Sequence, residues 1–148
     1  MTTDRLPTAT ILGVNVHAVT NTQTLALIEQ FIASGQPHQL CTVNPEFVVT
    51  AQDDFEFRQI INNATLALPD GIGLLKAARF LGTTPLPERV AGSELVVTLA
   101  ELSHLKGYRI FFLGAQPGVA QQVVVNLKVR YPNLVVAGAY AGSPAPAE

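Results

Sequence analysis

Short runs of apolar, often β-branched residues alternate along this sequence with longer segments whose apolar residues recur every three or four positions. Ala9 to Val16 and Tyr108 to Leu113 typify the first kind of segment, and Thr22 to Ser34 typifies the second. Strands that alternate with helices of about 10 to 15 residues indicate βαβ units. The pattern therefore predicts an α/β, Rossmann-like fold, with a mostly parallel sheet and helices on both of its faces.

Glycines, prolines and acidic residues mark the expected element boundaries. We expect Gly35 to end the first helix, Pro45 to begin the second, and Asp53-Asp54 to divide the following segment into two shorter helices. Ser93 is expected to cap a helix that Gly107 closes. The remaining strands are predicted at 39–43, 65–68 and 134–137, and the remaining helices at 72–81 and from 119 onward.

The length and composition are those of one globular domain over residues 1–148. Apolar residues make up 48% of the chain and charged residues 14%, so a buried core is expected and disorder is not. The net charge is -2 and the nine basic residues are scattered, which gives no reason to expect nucleic acid or a purely electrostatic membrane patch. The single cysteine, Cys41, cannot form an intramolecular disulfide, and we expect it in the core.

The two ends of the chain carry a further expectation. Met1 to Pro7 lacks the apolar core of a signal peptide, and no apolar stretch approaches the roughly 20 residues of a transmembrane helix. The chain is therefore expected to be cytoplasmic in character. Near the other end, Ser143-Pro144 has the pattern of a helix start, so the domain is expected to be truncated at its C-terminal end.

Polar residues at the carboxyl ends of the predicted strands are the candidates for a site, because parallel sheets bind ligands there. Asp70 follows the apolar strand at 65–68, where a partly desolvated carboxylate can accept a proton. The structural alternative is that Asp70 caps the helix that follows it. The motif alone leaves both interpretations open.

Thr42 and Asn44 end the strand at 39–43. They lie two positions apart, so their side chains share one face of an extended strand. A hydroxyl and an amide together suit recognition of sugar hydroxyls. The alternative is that Asn44 only forms a turn before Pro45, and without further information this alternative is favoured.

Arg89 lies in the loop between Pro87 and Gly92. A guanidinium group is a good partner for a diphosphate, and loops over strand ends make such contacts. The alternative is a surface ion pair, with Glu88 as the partner.

The turn after the strand at 108–113 has glycines and exposed amides at a helix start. Gly114, Gln116 and Gly118 are therefore tentative nucleotide-binding residues. The turn lacks the G-x-G-x-x-G pattern, so it is a weak signature for a cofactor. The sequence also contains no D-x-D motif and no cluster with metal-ligand spacing, so we expect no metal and no other cofactor.

Four motifs together resemble the WecG/TagA/CpsF family, glycosyltransferase family 26. They occur in the family's order and at its spacing, and the resemblance as a whole covers essentially residues 10 to 140. The motifs are T-x-N-P-E-F at 42–47, L-P-D-G-I-G-L at 68–74, P-E-R-V-A-G-S-E-L at 87–95 and F-F-L-G-A-x-P-G-V-A at 111–120.

The resemblance implies transfer of an N-acetylmannosamine-type sugar, or a related one, from a UDP-sugar donor to an undecaprenyl-diphosphate-linked sugar acceptor. It implies inversion at the anomeric carbon, no metal requirement, and a role in cell-surface polysaccharide or teichoic acid synthesis. Carried over by motif, Asp70 is the expected general base. Thr42 and Asn44 match the family's polar pocket residues, and Arg89 matches its pocket arginine, which stabilises charge on the departing diphosphate.

Members of this family continue with a further βα unit and a segment that reaches the inner face of the membrane. This sequence stops at Glu148. We therefore expect a 148-residue form to have little or no transferase activity, and we expect peripheral membrane contact only through the segment beyond it. The sequence leaves the donated sugar and the oligomeric state, including a homo-oligomer, open.

Two other functions are compatible with the predicted fold. The first is a nucleotide-dependent oxidoreductase of Rossmann type, which the missing G-x-G-x-x-G pattern argues against. The second is a non-catalytic ligand-binding domain, because a fold does not determine a function.

Overall fold

The computed structural model of the chain describes residues 6–142. The helix start predicted at Ser143-Pro144 lies outside the described residues. The strands are β1 (Thr8–Ile11), β2 (Val14–His17), β3 (Leu40–Val43), β4 (Leu66–Pro69), β5 (Arg109–Leu113) and β6 (Val135–Tyr140). The helices are α1 (Asn21–Ser34), α2 (Pro45–Asp53), α3 (Phe55–Asn63), α4 (Ile72–Phe80), α5 (Gly92–Lys106) and α6 (Val119–Arg130).

The chain divides into two compact units, Met1–Gly92 and Ser93–Glu148. The first unit contains β1 to β4 and α1 to α4, and the second contains β5, β6, α6 and nearly all of α5. A single domain across residues 1–148 stays a prediction.

Two parallel strand pairs confirm the predicted α/β class. In the first unit β3 pairs with β4, from Leu40 opposite Leu66 to Val43 opposite Pro69. In the second unit β5 pairs with β6 in the same sense, with an irregularity between Ile110 and Phe111. All four residues of β4 are buried, as expected for a strand covered on both faces.

The prediction of one strand from Ala9 to Val16 is wrong, because this segment folds as an antiparallel hairpin. β1 pairs with β2, and Ile11 lies opposite Val14. The two residues between the strands, Leu12 and Gly13, have φ of 47° and 81°. Positive φ at both positions is what a tight two-residue hairpin turn requires. A leucine rarely adopts this conformation, so the turn is poorly marked in the sequence.

Side-chain caps explain most of the helix boundaries in the first unit. Thr20 and Gln23 form a capping box at the start of α1, and Gly35 ends that helix with φ of 66°. The predicted break at Asp53-Asp54 is confirmed, since the Asp54 side chain accepts a hydrogen bond from the Phe57 amide at the start of α3. By contrast, α5 begins at Gly92, so Ser93 lies inside the helix and does not precede it.

The core of the first unit lies between the strands and α2 to α4. Cys41 is partly buried and packs against this core, as predicted, and burial raises the pKa of its thiol. A raised pKa leaves less of the reactive thiolate near neutral pH. The largest fully buried side chains of the unit include Leu27, Ile61, Leu66, Leu68, Leu74 and Leu86.

The second unit has a smaller core of its own, formed by α5, α6 and the strand pair. Its buried members are Ala100, Leu127, Tyr131 and Leu134. Across residues 6–142, none of the helices combines the length and apolar character needed to cross a membrane.

Candidate active site

Asp70 lies at the edge of the first unit where β3 and β4 both end. Its amide donates a 2.7 Å hydrogen bond to the Val43 carbonyl, so the residue is tied to the end of the neighbouring strand. The preceding carbonyl, that of Pro69, accepts a 2.8 Å hydrogen bond from the Val90 amide. These two bonds fix the backbone on both sides of a half-buried carboxylate.

The carboxylate of Asp70 does not cap α4, so the capping alternative is wrong for that helix. The N-cap of α4 is Gly71, which makes no side-chain cap bond. Oδ2 of Asp70 instead accepts a 3.1 Å hydrogen bond from the amide of Gly92. Within residues 6–142 no donor is assigned to Oδ1, which can therefore accept a proton from a bound alcohol.

The side chains of Thr42 and Asp70 both lie next to Gly92. A Cβ built on Gly92 would lie 3.1 Å from both Oγ1 and Cγ2 of Thr42. The side chain of Thr42 therefore occupies the space that any other residue at position 92 would need. A hydroxyl and a carboxylate thus flank the same glycine, one on β3 and the other directly after β4.

Two further glycines bring the starts of α2 and α4 together. Gly71 has φ of 132°, and a Cβ at Gly73 would lie 2.8 Å from Cγ of Pro45. Only residues without a side chain allow this close approach. Pro45 and Gly71 directly follow Asn44 and Asp70, so the contact fixes the two candidate residues at one edge.

Asn44 has a structural role as the N-cap of α2. Its Oδ1 accepts a 2.8 Å hydrogen bond from the amide of Phe47. Asn44 is thus a helix cap and not the simple turn former that the sequence favoured, and its role in binding stays a prediction. The Nδ2 group is assigned no acceptor within the described ranges, and Asn44 is half-buried, so one end of the amide can still bind a ligand.

Arg89 lies in a loop whose backbone is held by hydrogen bonds on both sides of this residue. The side chain of Asn21, at the start of α1, donates to the Arg89 carbonyl over 3.2 Å and to Glu88 Oε1 over 3.1 Å. The Asn21 amide also donates to Glu88 Oε1. Together with the bond from Val90 to Pro69, these contacts hold the backbone of Arg89 at the edge that carries Asp70, with its side chain exposed.

Asn21 and Gly92 support this site although neither was predicted from the sequence. Gly92 is 22 residues from Asp70, and Asn21 is 67 residues from Glu88, so no local pattern connects these pairs. Gly92 lies inside the P-E-R-V-A-G-S-E-L motif, and this position in the motif was the sequence feature that could have indicated its role.

The tentative nucleotide-binding residues belong to the second unit. Gly114 and Ala115 have positive φ, and Gly118 is the N-cap of α6 with no side-chain cap bond. The turn borders an open depression of about 720 Å³. Its lining residues are Leu113, Gly114, Ala115, Gln116, Pro117, Ala141 and Gly142. The exposed amides suit an anion, and nucleotide binding by this turn stays a prediction.

Comparison with known proteins identifies the family. Residues 9–148 match the family described as Glycosyl transferase WecG/TagA/CpsF family. The chain belongs to the WecG/TagA/CpsF family. The resemblance predicted from the four motifs is therefore confirmed, and family membership favours the transferase interpretation over the oxidoreductase alternative.

Curated members of this family include enzymes of Staphylococcus aureus named N-acetylglucosaminyldiphosphoundecaprenol N-acetyl-beta-D-mannosaminyltransferase. Those of strains NCTC 8325 / PS 47 and COL are each 33% identical to this chain over 126 residues. The match covers 84% of this chain and 49% of each relative. The chain therefore spans about half the length of the curated relatives it matches.

Residues from three of the four WecG/TagA/CpsF motifs, up to Gly92 in the third, form one structural cluster in the first unit. The motif at 42–47 ends β3 and starts α2, and the motif at 68–74 ends β4 and starts α4. Two hydrogen bonds hold the motif at 87–95 at the end of β4. The Val90 amide donates to the Pro69 carbonyl, and the Gly92 amide donates to Asp70 Oδ2. The fourth motif, at 111–120, lies in the second unit.

Proposed function

We propose that this chain is the acceptor-activating part of an inverting glycosyltransferase. The donor is a UDP-sugar of the N-acetylmannosamine type, and the acceptor is a sugar linked to undecaprenyl diphosphate. Family membership supports the reaction class, and the names of the Staphylococcus aureus relatives support the acceptor and the donated sugar. The observation that carries the proposal is the fixed carboxylate of Asp70, with one oxygen held by Gly92 and the other available.

Asp70 acts as the general base in this proposal. Oδ1 takes the proton of the acceptor hydroxyl as the hydroxyl oxygen attacks the anomeric carbon of the donor. The bond from that carbon to the diphosphate breaks at the same time, and UDP leaves with the electron pair. A single displacement of this kind inverts the anomeric centre. The amide of Gly92 keeps the carboxylate oriented throughout.

The remaining edge residues bind the sugar and the departing group. Thr42 Oγ1 and Asn44 Nδ2 supply a hydroxyl and an amide for sugar hydroxyls. Arg89 is exposed, and a hydrogen bond from Asn21 holds its backbone. Its guanidinium group binds the diphosphate in this proposal. We propose that this positive charge, and not a metal ion, balances the negative charge on departing UDP. Chelation of divalent cations should then leave turnover unchanged.

The lipid part of the acceptor sets where the reaction takes place. An undecaprenyl chain partitions into the bilayer, so the diphosphate and its sugar lie at the membrane surface. We therefore propose that the protein acts as a peripheral enzyme at the inner face of the membrane, in cell-surface polymer synthesis.

The test measures sugar transfer from UDP-N-acetylmannosamine to a short-chain polyprenyl-diphosphate N-acetylglucosamine. Because the chain covers 49% of its relatives, two proteins are assayed: the chain alone, and a chimera in which it replaces the matching part of the Staphylococcus aureus enzyme. We expect transfer by the chimera. Asp70→Asn should lower its turnover about 100-fold or more, with unchanged binding of donor and acceptor.

Asp53→Asn is the matched control, since Asp53 is exposed at the end of α2. It should leave turnover unchanged. Full turnover by the Asp70→Asn chimera would exclude Asp70 as the base. That result would favour a non-catalytic role for this unit.

A further inference from the structure

Helix α4 carries a stripe of exposed side chains on the face that points away from the core of the first unit. The helix buries Leu74 and Ala78 on one face. On the opposite face Ile72 is 61% exposed and Phe80 is 91% exposed, and Lys76 and Arg79 are exposed between them. At about 100° per residue these four side chains fall within roughly 120° of the helix circumference. We call this set of residues, Ile72, Lys76, Arg79 and Phe80, the α4 stripe.

The α4 stripe combines large apolar side chains with positively charged ones. No aspartate or glutamate lies in Ile72–Phe80, although the whole chain has a net charge of -2. The two cations are three residues apart and therefore lie next to each other on the helix surface. A surface that combines a large aromatic residue, an isoleucine and adjacent cations is complementary to an anionic lipid surface.

The stripe also lies close to the candidate base. Ile72 is two residues after Asp70, and the helix then runs for nine residues, or about 13 Å. A bilayer that contacts the stripe would therefore lie near the edge where Asp70 is fixed. This is where a membrane-anchored diphosphate sugar has to be delivered.

We propose that the α4 stripe docks on an anionic lipid bilayer, with Phe80 and Ile72 entering the interface and Lys76 and Arg79 binding lipid phosphates. The orientation of Asp70 toward a lipid-linked acceptor rests on the proposed function, whereas the lipid contact itself does not. This membrane contact lies within residues 72–80, whereas the family resemblance predicts one only in the segment beyond residue 148.

A second copy of the chain is a poorer occupant of this surface. A symmetric dimer built on the stripe would bring Lys76 and Arg79 of both copies together, which is electrostatically unfavourable. A single face of a helix of nine residues also offers much less than the roughly 800 Å² per partner of a stable interface. A lipid surface needs neither a complementary shape nor such an area.

The experiment is sedimentation of the 148-residue chain with sucrose-loaded vesicles that contain no acceptor. Vesicles of phosphatidylglycerol and phosphatidylcholine are compared with vesicles of phosphatidylcholine alone. We expect binding to the anionic vesicles, weakened by salt. The K76Q/R79Q variant should reduce the partition coefficient about fivefold for each charge removed. Phe80→Ser should also reduce it, and circular dichroism should show an unchanged fold because all three side chains are exposed.

Two substitutions away from the stripe serve as matched controls. Val49→Ser removes an apolar side chain of α2 that is 66% exposed, and Lys128→Gln removes an exposed charge of α6. Both should bind anionic vesicles as the unchanged chain does. Asp70→Asn should also bind normally, so a failure of catalysis and a failure of lipid contact are distinguished.

Three results would overturn the proposal. The first is no sedimentation with anionic vesicles. The second is equal loss of binding in the stripe variants and the two controls. The third is a concentration-dependent dimer that Phe80→Ser abolishes, which would show that a second copy covers the stripe.

Discussion

The amide of Gly92 donates a 3.1 Å hydrogen bond to Oδ2 of Asp70. This contact connects the third family motif to the second, and it assigns different roles to the two carboxylate oxygens. Oδ2 is held by the backbone, whereas Oδ1 is the oxygen to which the proposed function assigns the acceptor hydroxyl. The glycine is also the residue against which Thr42 packs, so a change at position 92 affects both side chains.

Substituting Gly92 by alanine should disturb the site while keeping the fold. The new Cβ would lie 3.1 Å from Oγ1 and Cγ2 of Thr42, which is closer than normal contact. Either Thr42 or the backbone at 92 has to move, and a move of the backbone lengthens the bond to Asp70. We expect a loss of about 1 kcal/mol in the free energy of unfolding and about a tenfold loss of turnover in the chimera.

The double variant T42A/G92A is the control for this mechanism. Removing Oγ1 and Cγ2 of Thr42 makes room for the new methyl group. Denaturant unfolding should then show that the two substitutions are non-additive, with the double variant more stable than the sum of the singles predicts. Strict additivity would mean that Thr42 and Gly92 do not crowd each other.

Gly73→Ala tests the contact that joins the two strand ends. Alanine is the better helix former by about 1 kcal/mol, so propensity alone predicts stabilisation. The added Cβ would however lie 2.8 Å from Cγ of Pro45, and the rigid proline ring cannot rotate away from it. We expect net destabilisation of about 1 kcal/mol by urea unfolding. Lys76→Ala, an exposed change on the same helix, should stay within about 0.5 kcal/mol of the unchanged chain.

The positions of Thr42, Asn44 and Asp70 at one edge could be predicted because parallel strands end together. The strand pair from Leu40 opposite Leu66 to Val43 opposite Pro69 provides this arrangement. The hairpin at Leu12 could not be predicted in the same way, because its turn is formed by a residue type that rarely adopts positive φ. The N-cap of α2 is a local interaction, because Asn44 accepts from Phe47, three residues further on. The hydrogen bond from Asn21 to Glu88, by contrast, joins residues 67 positions apart and depends on the tertiary fold.

Acid should destabilise the first unit through His17. Burial lowers the pKa of this imidazole below its ordinary value of about 6.5. Its Nδ1 accepts a 3.0 Å hydrogen bond from the Ala67 amide, and protonation of that nitrogen breaks the bond. Below the ordinary pKa the unfolded chain binds a proton that the folded chain does not, so stability falls as the pH falls.

Denaturant unfolding at a series of pH values between about 7 and 5 measures this effect. His17→Gln should flatten the pH dependence, because glutamine does not titrate. His38→Gln makes the same exchange at an exposed histidine and serves as the matched control. An equal slope with and without His17 would show that other groups cause the acid sensitivity.

Asn44 can be tested so that its capping and ligand-binding roles separate. Asn44→Asp keeps an oxygen that accepts the Phe47 amide and adds a negative charge at the start of α2, so the free energy of unfolding should be maintained. Asn44→Ala removes the cap and should cost about 1 kcal/mol. Both substitutions remove the Nδ2 donor that the proposal assigns to the sugar, so both should raise KM or lower kcat in the chimera. If Asn44→Asp keeps full activity as well as full stability, Asn44 serves the fold alone, and the sugar hydroxyls must be bound by Thr42 and other groups at this edge.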